Sequence, residues 1–232
     1  MNALKVDQAD GLRLLMANSP GQKLAVVGSG PSVGATSVAQ NLAAALRQLG
    51  RDVLLHDERS APPPTTAQCA GRLLLVDAVL DPQGALTPWA AQADHVMVVL
   101  QPSPASIKAS YACVKNLHYA HALQRVRMLV NHATDASQAE RILANLAQTS
   151  GRYLAMTLES AGWVRADPQM LQARRLNLTV VEAYRTSPAA IDFFQIASDL
   201  KQWSWRSPKD QARGVRPALA ARDQTGPALA LH

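Results

Sequence analysis

The sequence predicts an α/β fold with a mostly parallel sheet and helices on both of its faces. Three observations lead there. Five apolar runs are short and continuous enough to be buried strands. Helical patterns separate most of them. Alanine and leucine are abundant while aromatic residues make up only 4%, which favours helices packed on a compact sheet over an all-β sandwich. A chain of 232 residues, 48% of them apolar, buries one sizeable core. The expected organisation is a short N-terminal helix over residues 1–18, an α/β domain over 19–205 and a basic, disordered tail over 206–232.

In chain order, "VDQADGLRLLMA" offers Asp7 as a helix cap with Asp10 three residues on, and places Ala9, Leu12, Leu15 and Met16 on one face. Ser19, Pro20 and Gly21 break it. The run "KLAVVGS" reads as a buried strand, and Val38, Leu42, Ala45, Leu46 and Leu49 as one face of a helix closed by Gly50. A second strand follows in "RDVLLHDE". The proline-rich "SAPPPTTAQCAG" is expected to be neither helix nor central strand. Further strands are expected at "GRLLLVDAVL", "ADHVMVVLQP" and "RVRMLVNHA", with crossover helices at 104–121 and 137–148. A short strand at "RYLAMTLE", a helix at 168–175 and a last helix at 187–205 complete the domain. That last helix would bury Phe193, Ile196, Ala197, Leu200 and Trp203 on one face. Residues 208–232 lack a sustained period and read as disordered.

The formal charge is +6, and half of the excess falls in the tail, where Arg206, Lys209, Arg213, Arg216 and Arg222 face only Asp210 and Asp223. A basic tail says little about the folded surface, so nucleic acid is not expected as a partner. Cys69 and Cys113 are isolated and lack metal-type spacing. No basic-then-apolar signal segment opens the chain, so a reducing cytoplasm is the expected compartment. No apolar run reaches the length of a transmembrane helix, and any membrane contact would be peripheral.

The chemistry concentrates in "AVVGSGPSVGATSVAQNLAAAL". A phosphate-binding loop needs glycines for close backbone approach, a lysine for charge and a hydroxyl for magnesium. Here Gly34 and Thr36 remain, Ala35 stands in place of the lysine, Ser29 in place of the first glycine, and Pro31 removes one N–H. A helix N-terminus still attracts anions without a lysine. On these residues alone the segment is either a nucleotide site or a ligand-free strand-to-helix turn.

Together with "VLLHDE", "LLLVDA", "MVVLQPSPASIKASYACVKNL" and "MLVNHA", this loop resembles those of the MinD/ParA-type deviant P-loop ATPases. The opening "DQADGLRLLM" is similar to that of the flagellar number regulators called FlhG or FleN. The resemblance runs over residues 6–205 and implies a P-loop NTPase-like fold of the MinD type. It implies nucleotide binding by Gly30, Ser32, Val33, Gly34, Ala35, Thr36 and Ser37, with Asn131 reading adenine and Asp167 in the adenine-side loop. Magnesium would be held by Thr36 and, through water, by Asp77; Asp57 matches the first aspartate after the second strand. The departures are as informative as the matches. Gly30 and Ala35 occupy the positions of both family lysines, and Arg59 that of the second aspartate. The segment 57–72 is also short for the family.

By the same resemblance, Asp7, Gln8, Leu12 and Arg13 would dock on an FlhF-type GTPase, or another flagellar assembly component, and stimulate it. A glutamine can orient water and an arginine can offset charge in phosphoryl transfer. Read without the family, the segment packs as an N-terminal helix. A homodimer and a peripheral inner-membrane contact through the C-terminal helix are further family expectations. The resulting reading is a regulator of flagellar number and placement that acts through protein binding as a pseudo-ATPase, with ATP or ADP and Mg²⁺ as the cofactors in question. The alternative is an active ATP-dependent positioning or partitioning ATPase.

Three weaker candidates remain. His118 and His121, at i and i+3, lack a third metal ligand. Trp203 and Trp205 read either as an interfacial anchor or as core. Arg174, Arg175 and Arg185 read either as an anion site or as solvated surface.

Overall fold

The computed structural model describes residues 21–205. The expected N-terminal helix with Asp7, Gln8, Leu12 and Arg13, and the expected disordered tail, lie outside the described residues. The elements are β1 (Gln22–Gly28), α1 (Ala35–Gln48), β2 (Val53–Asp57), α2 (Thr66–Cys69), β3 (Leu73–Asp77), β4 (His95–Leu100) and α3 (Pro104–His121). They continue with β5 (Arg125–Ala133), α4 (Ala136–Leu154), β6 (Thr157–Arg165), α5 (Pro168–Arg175), α6 (Val180–Ala183) and α7 (Pro188–Asp199).

The six strands form one sheet in the order β2-β3-β1-β4-β5-β6, with every neighbouring pair parallel. Alternation along β1 fills both faces. Leu24 and Val26 join Val38, Leu42 and Leu46 of α1 and Phe193 and Ile196 of α7 on one side. Ala25 and Val27 join Val114 and Leu117 of α3 and Leu146 of α4 on the other. Strands buried on both faces have no polar alternation, which is why they appear as continuous apolar runs. The strand order reverses around β1. Its carboxyl end therefore opens a crevice at a topological switch point, where such sheets bind ligands.

Four expectations are corrected. The proline-rich connection does contain helix: α2 starts after the prolines, where Thr65 and Gln68 form a reciprocal capping box. Prolines ahead of a helix leave its hydrogen bonds intact. The strand expected at "RYLAMTLE" is displaced, because α4 continues to Leu154 and ends at left-handed Ala155. The strand is β6, an edge with two register shifts and many half-exposed residues, so it lacks the apolar continuity of the interior strands. The last helix stops at Asp199, followed by a 3₁₀ turn at Leu200–Gln202. Leu49 is exposed because it caps α1 rather than continuing its buried face.

Trp203 takes the core reading. It is 9% exposed, the Arg127 guanidinium lies 3.7 Å from its ring centroid, and the His95 ring stands against it edge-on. No helix among the described residues is long and apolar enough to cross a membrane.

Candidate nucleotide-binding cleft

The loop after β1 is held from three sides. Ser29 N donates to Val99 O at 2.9 Å, Gln101 Nε2 to Ser32 O at 3.0 Å, and Asn131 Nδ2 to Val33 O at 2.9 Å. Ser32 and Gly34 both have positive φ, at 58° and 88°. Gly34 also sits against Asn131, whose Nδ2 would be 2.5 Å from a Cβ added there. A glycine is thus required twice over, by backbone conformation and by close approach.

Gly34 is the N-cap of α1, and no side chain accepts from the first N–H groups of that helix. Every other described α-helix has a capping side chain: Thr65, Ser103, Asp135, Asp167, Thr179 or Ser187. The helix whose donors are left uncapped opens on the cleft. Uncapped N–H groups and the positive end of the helix dipole suit an anion.

The cleft has a volume of about 1280 Å³, above the roughly 300–1,000 Å³ common for small-molecule sites. Gly30, Ser32, Val33, Gly34, Ala35, Thr36 and Ser37 all line it, as do Asn131 and Asp167. The structure thus brings the whole expected nucleotide set to one wall system. Two members are already engaged there. The carboxamide of Asn131, 1% exposed, gives Nδ2 to the loop and accepts from His132 N through Oδ1. Asp167 caps α5 by accepting from Gln169 N and also accepts from Ala189 N at the start of α7, so its carboxylate ties the starts of these two helices together.

Asp57 and Asp77 are register partners at the ends of β2 and β3. Between them lies Arg59, whose Nη1 is 3.2 Å from Asp57 Oδ1 and 2.7 Å from Asp77 Oδ2. Asp57 also accepts from Ser60 Oγ and from Arg59 N. The Ser60 hydrogen bond first, then the contacts from Arg59, hold its carboxyl below the ordinary range against the opposing effect of burial. Arg59 lines the cleft, whereas neither Asp57 nor Asp77 is part of its wall. The residues present therefore do not fit a magnesium ion between Thr36 and Asp77, because a guanidinium already occupies Asp77 Oδ2 and the carboxylate lies outside the cleft wall. Among the described residues no other group of His, Cys, Asp and Glu is arranged for a metal. His121 Nε2 accepts from Leu86 N and His118 Nδ1 pairs with Leu123 O, so both helix histidines fasten loops.

Sequence reasoning missed two contributors. Asn41, buried in α1, accepts from Val180 N and Val181 N through Oδ1 and donates to Ser37 O, tying α1 to the far wall. A lone asparagine on an apolar helix face was the available signal. Glu58 accepts from Val79 N and Thr87 Oγ1 and fixes the loop after β3; no sequence pattern marks it. Of the arginines weighed as an anion site, Arg174 lines the cleft, and Arg175 and Arg185 do not.

This parallel sheet, with its reversal at β1 and its loop leading into α1, is a MinD/ParA-type P-loop ATPase fold. Solved structures share it: MinD of Aquifex aeolicus in its complex with MinC (14% identity, 80% of this chain and 98% of that one, TM-score 0.56), and a ParA family ATPase of Chlorobium tepidum (14%, 78% and 98%, 0.57). MinD of Pyrococcus horikoshii, solved with Mg-ADP, is a third (12%, 78% and 96%, 0.59). In sequence the chain is similar to the antiactivator FleN of Pseudomonas aeruginosa, 27% identical over 131 residues, which are 56% of this chain. The match takes in 47% of that relative, so the chain spans about half the length of the curated protein it matches. No family model matches the chain.

Proposed function

We propose that the chain is a positioning protein of the MinD/ParA type whose cleft takes an adenine nucleotide. The uncapped start of α1 beside the strapped loop supports this reading, as does the likeness to a MinD solved with Mg-ADP. Within that class we take it as a FleN-like regulator of flagellar number and placement. It would act in the cytoplasm, or peripherally at the inner membrane, through contact with an FlhF-type GTPase or another flagellar component, with little or no ATP hydrolysis. The observation that carries the last point is Arg59 on Asp77, together with Gly30 and Ala35 where the resemblance expects lysines. Removing one preorganised charge donor costs roughly 10²–10³ in rate, a loss that binding survives better than turnover.

The likeness to MinD and to a ParA family ATPase favours a second reading, an active ATP-driven positioning ATPase. Phosphate release at saturating ATP and Mg²⁺ separates the two. No turnover above buffer is expected; clear turnover, lost in Asp77→Asn, establishes the active enzyme. The partner is tested by GTP turnover of the FlhF-type GTPase from the same organism, with the chain whole and with residues 1–18 removed. Stimulation that disappears on truncation is expected, and its absence with both forms removes the activator role.

A further inference from the structure

Asp77 presents a problem of charge. It is 2% exposed at the end of β3, accepts one hydrogen bond, from Arg59, and its Oδ1 is buried with no hydrogen-bond partner. A carboxylate in that position needs a cation. In this chain the cation is supplied from two residues beyond β2. The Arg59 backbone is fixed by its own N–H to Asp57 Oδ1 at 3.0 Å, and its Nη1 bridges the two aspartates. Its side chain is 49% exposed and lines the cleft, so one edge of the guanidinium faces carboxylates and the group as a whole borders the space before α1.

We propose that Arg59 is a resident cation that takes the place of a divalent metal, so that the phosphates of a nucleotide in this cleft meet a guanidinium and are bound without metal. The inference rests on the nucleotide reading above. A guanidinium carries five N–H donors in a rigid fork. Nη1 serves the carboxylates, and the remaining donors suit phosphate oxygens, which arginine recognises through paired hydrogen bonds. A metal entering from the cleft would first meet this positive charge and would have to displace it from Asp77 Oδ2. A merely structural ion pair would hold Asp77 equally well but would leave nucleotide affinity indifferent to Arg59.

Two measurements on the full chain test this. The first is equilibrium binding of a fluorescent ADP analogue in excess Mg²⁺ and in EDTA. For the unsubstituted chain the affinity should agree within about twofold between the two buffers. Arg59→Ala should lose about tenfold in EDTA, the scale of one charge-assisted hydrogen bond, and regain part of it with Mg²⁺, while Arg59→Lys should keep its metal independence. Tenfold tighter binding with Mg²⁺ by the unsubstituted chain, or an Arg59→Ala variant with unchanged affinity in EDTA, overturns the proposal.

The second measurement is Mn²⁺ binding without nucleotide, followed by electron paramagnetic resonance. Arg59→Ala should take up Mn²⁺ at the uncovered Asp57 and Asp77, and the unsubstituted chain should not. Equal Mn²⁺ uptake by both, or none by the variant, overturns the placement of the cation. Undetectable ADP binding in every buffer removes the nucleotide reading and the phosphate role of Arg59 with it; the Mn²⁺ result then still decides whether Arg59 occupies the cation position.

Discussion

Arg59 Nη1 lies 2.7 Å from Asp77 Oδ2 although the two residues are 18 positions apart, with a proline-rich connection and α2 between them. Register brings them together. Asp57 and Asp77 are direct partners across β2 and β3, so an arginine two residues past the first aspartate reaches both. Arg59→Ala leaves a buried carboxylate unpaired, a change that costs 3–5 kcal/mol in a dry interior. With the Arg59 side chain 49% exposed, water replaces much of that loss, and the expected destabilisation is about 1–2 kcal/mol. Asp77→Asn in the same background should recover part of it. A double-mutant cycle by urea denaturation measures the coupling, and additive effects would contradict a direct pair.

Gly34 and Gly50 form an internal comparison. Both have positive φ, 88° and 80°, but a Cβ at Gly34 would lie 2.5 Å from Asn131 Nδ2, and a Cβ at Gly50 meets nothing within 4 Å. Gly50→Ala should cost only the backbone term, about 1–2 kcal/mol. Gly34→Ala should cost that and about 1–3 kcal/mol more, because Asn131 is pushed from its buried bond to Val33 O. Equal losses in thermal or urea unfolding would mean that Asn131 moves aside freely.

Much of this architecture was legible because its signals are local. The run Leu24 to Val27 is fully buried on both faces, and such a strand cannot hide its apolar continuity. Pro104 and Pro168 sit in the first turns of α3 and α5, where proline is preorganised. What escaped depends on neighbours distant in sequence. The register of β6 is set by β5 and interrupted by two shifts, one of them near Gly162, and only Ala161 and Val164 of its nine residues are buried. The Thr65 and Gln68 box was masked by the prolines before it. At the site the loop residues were readable as a set because they are contiguous. The substitution of arginine for aspartate at 59 was visible too, but its consequence was not, since the ion pair to Asp77 exists only once β2 and β3 align.

A pH dependence follows from the sheet's other end. His95 opens β4 with its ring against Trp203 and Trp205 and Nε2 3.1 Å from Ser204 O. Burial first, then the neighbouring Arg127 charge, lower its pKa from 6.5, against weaker raising effects of the Ser204 hydrogen bond, Asp94 and Glu159. The folded state therefore binds this proton less readily than the unfolded chain. Stability is fully present above the unfolded value near 6.5 and declines as pH falls below it, until the folded His95 also titrates, with a slope of at most about 1.4 kcal/mol per pH unit. Urea denaturation at pH 7.5 and at 5.5 should show the loss in the unsubstituted chain and a smaller loss in His95→Gln. An identical decline in both would assign the effect to other groups.

A lysine can be placed where the resemblance expects one. Ala35 is the first residue of α1, directly before Thr36, and it lines the cleft beside the uncapped N–H groups. It is half-buried and needs no special backbone conformation, so Ala35→Lys places an ammonium at the uncapped start of α1 without disturbing Gly34. If phosphates lie there, ATP affinity should rise about tenfold, the scale of one charge-assisted contact. Phosphate release should stay near background, because Gly30 and Arg59 are unchanged and the carboxylate of Asp77 remains covered. Competition binding against a fluorescent nucleotide measures the first effect and a phosphate-release assay the second. Unchanged affinity would place the phosphates away from the loop, whereas turnover gained by Ala35→Lys would show that a lysine at this position is enough for hydrolysis and leave Arg59 without a part in limiting it.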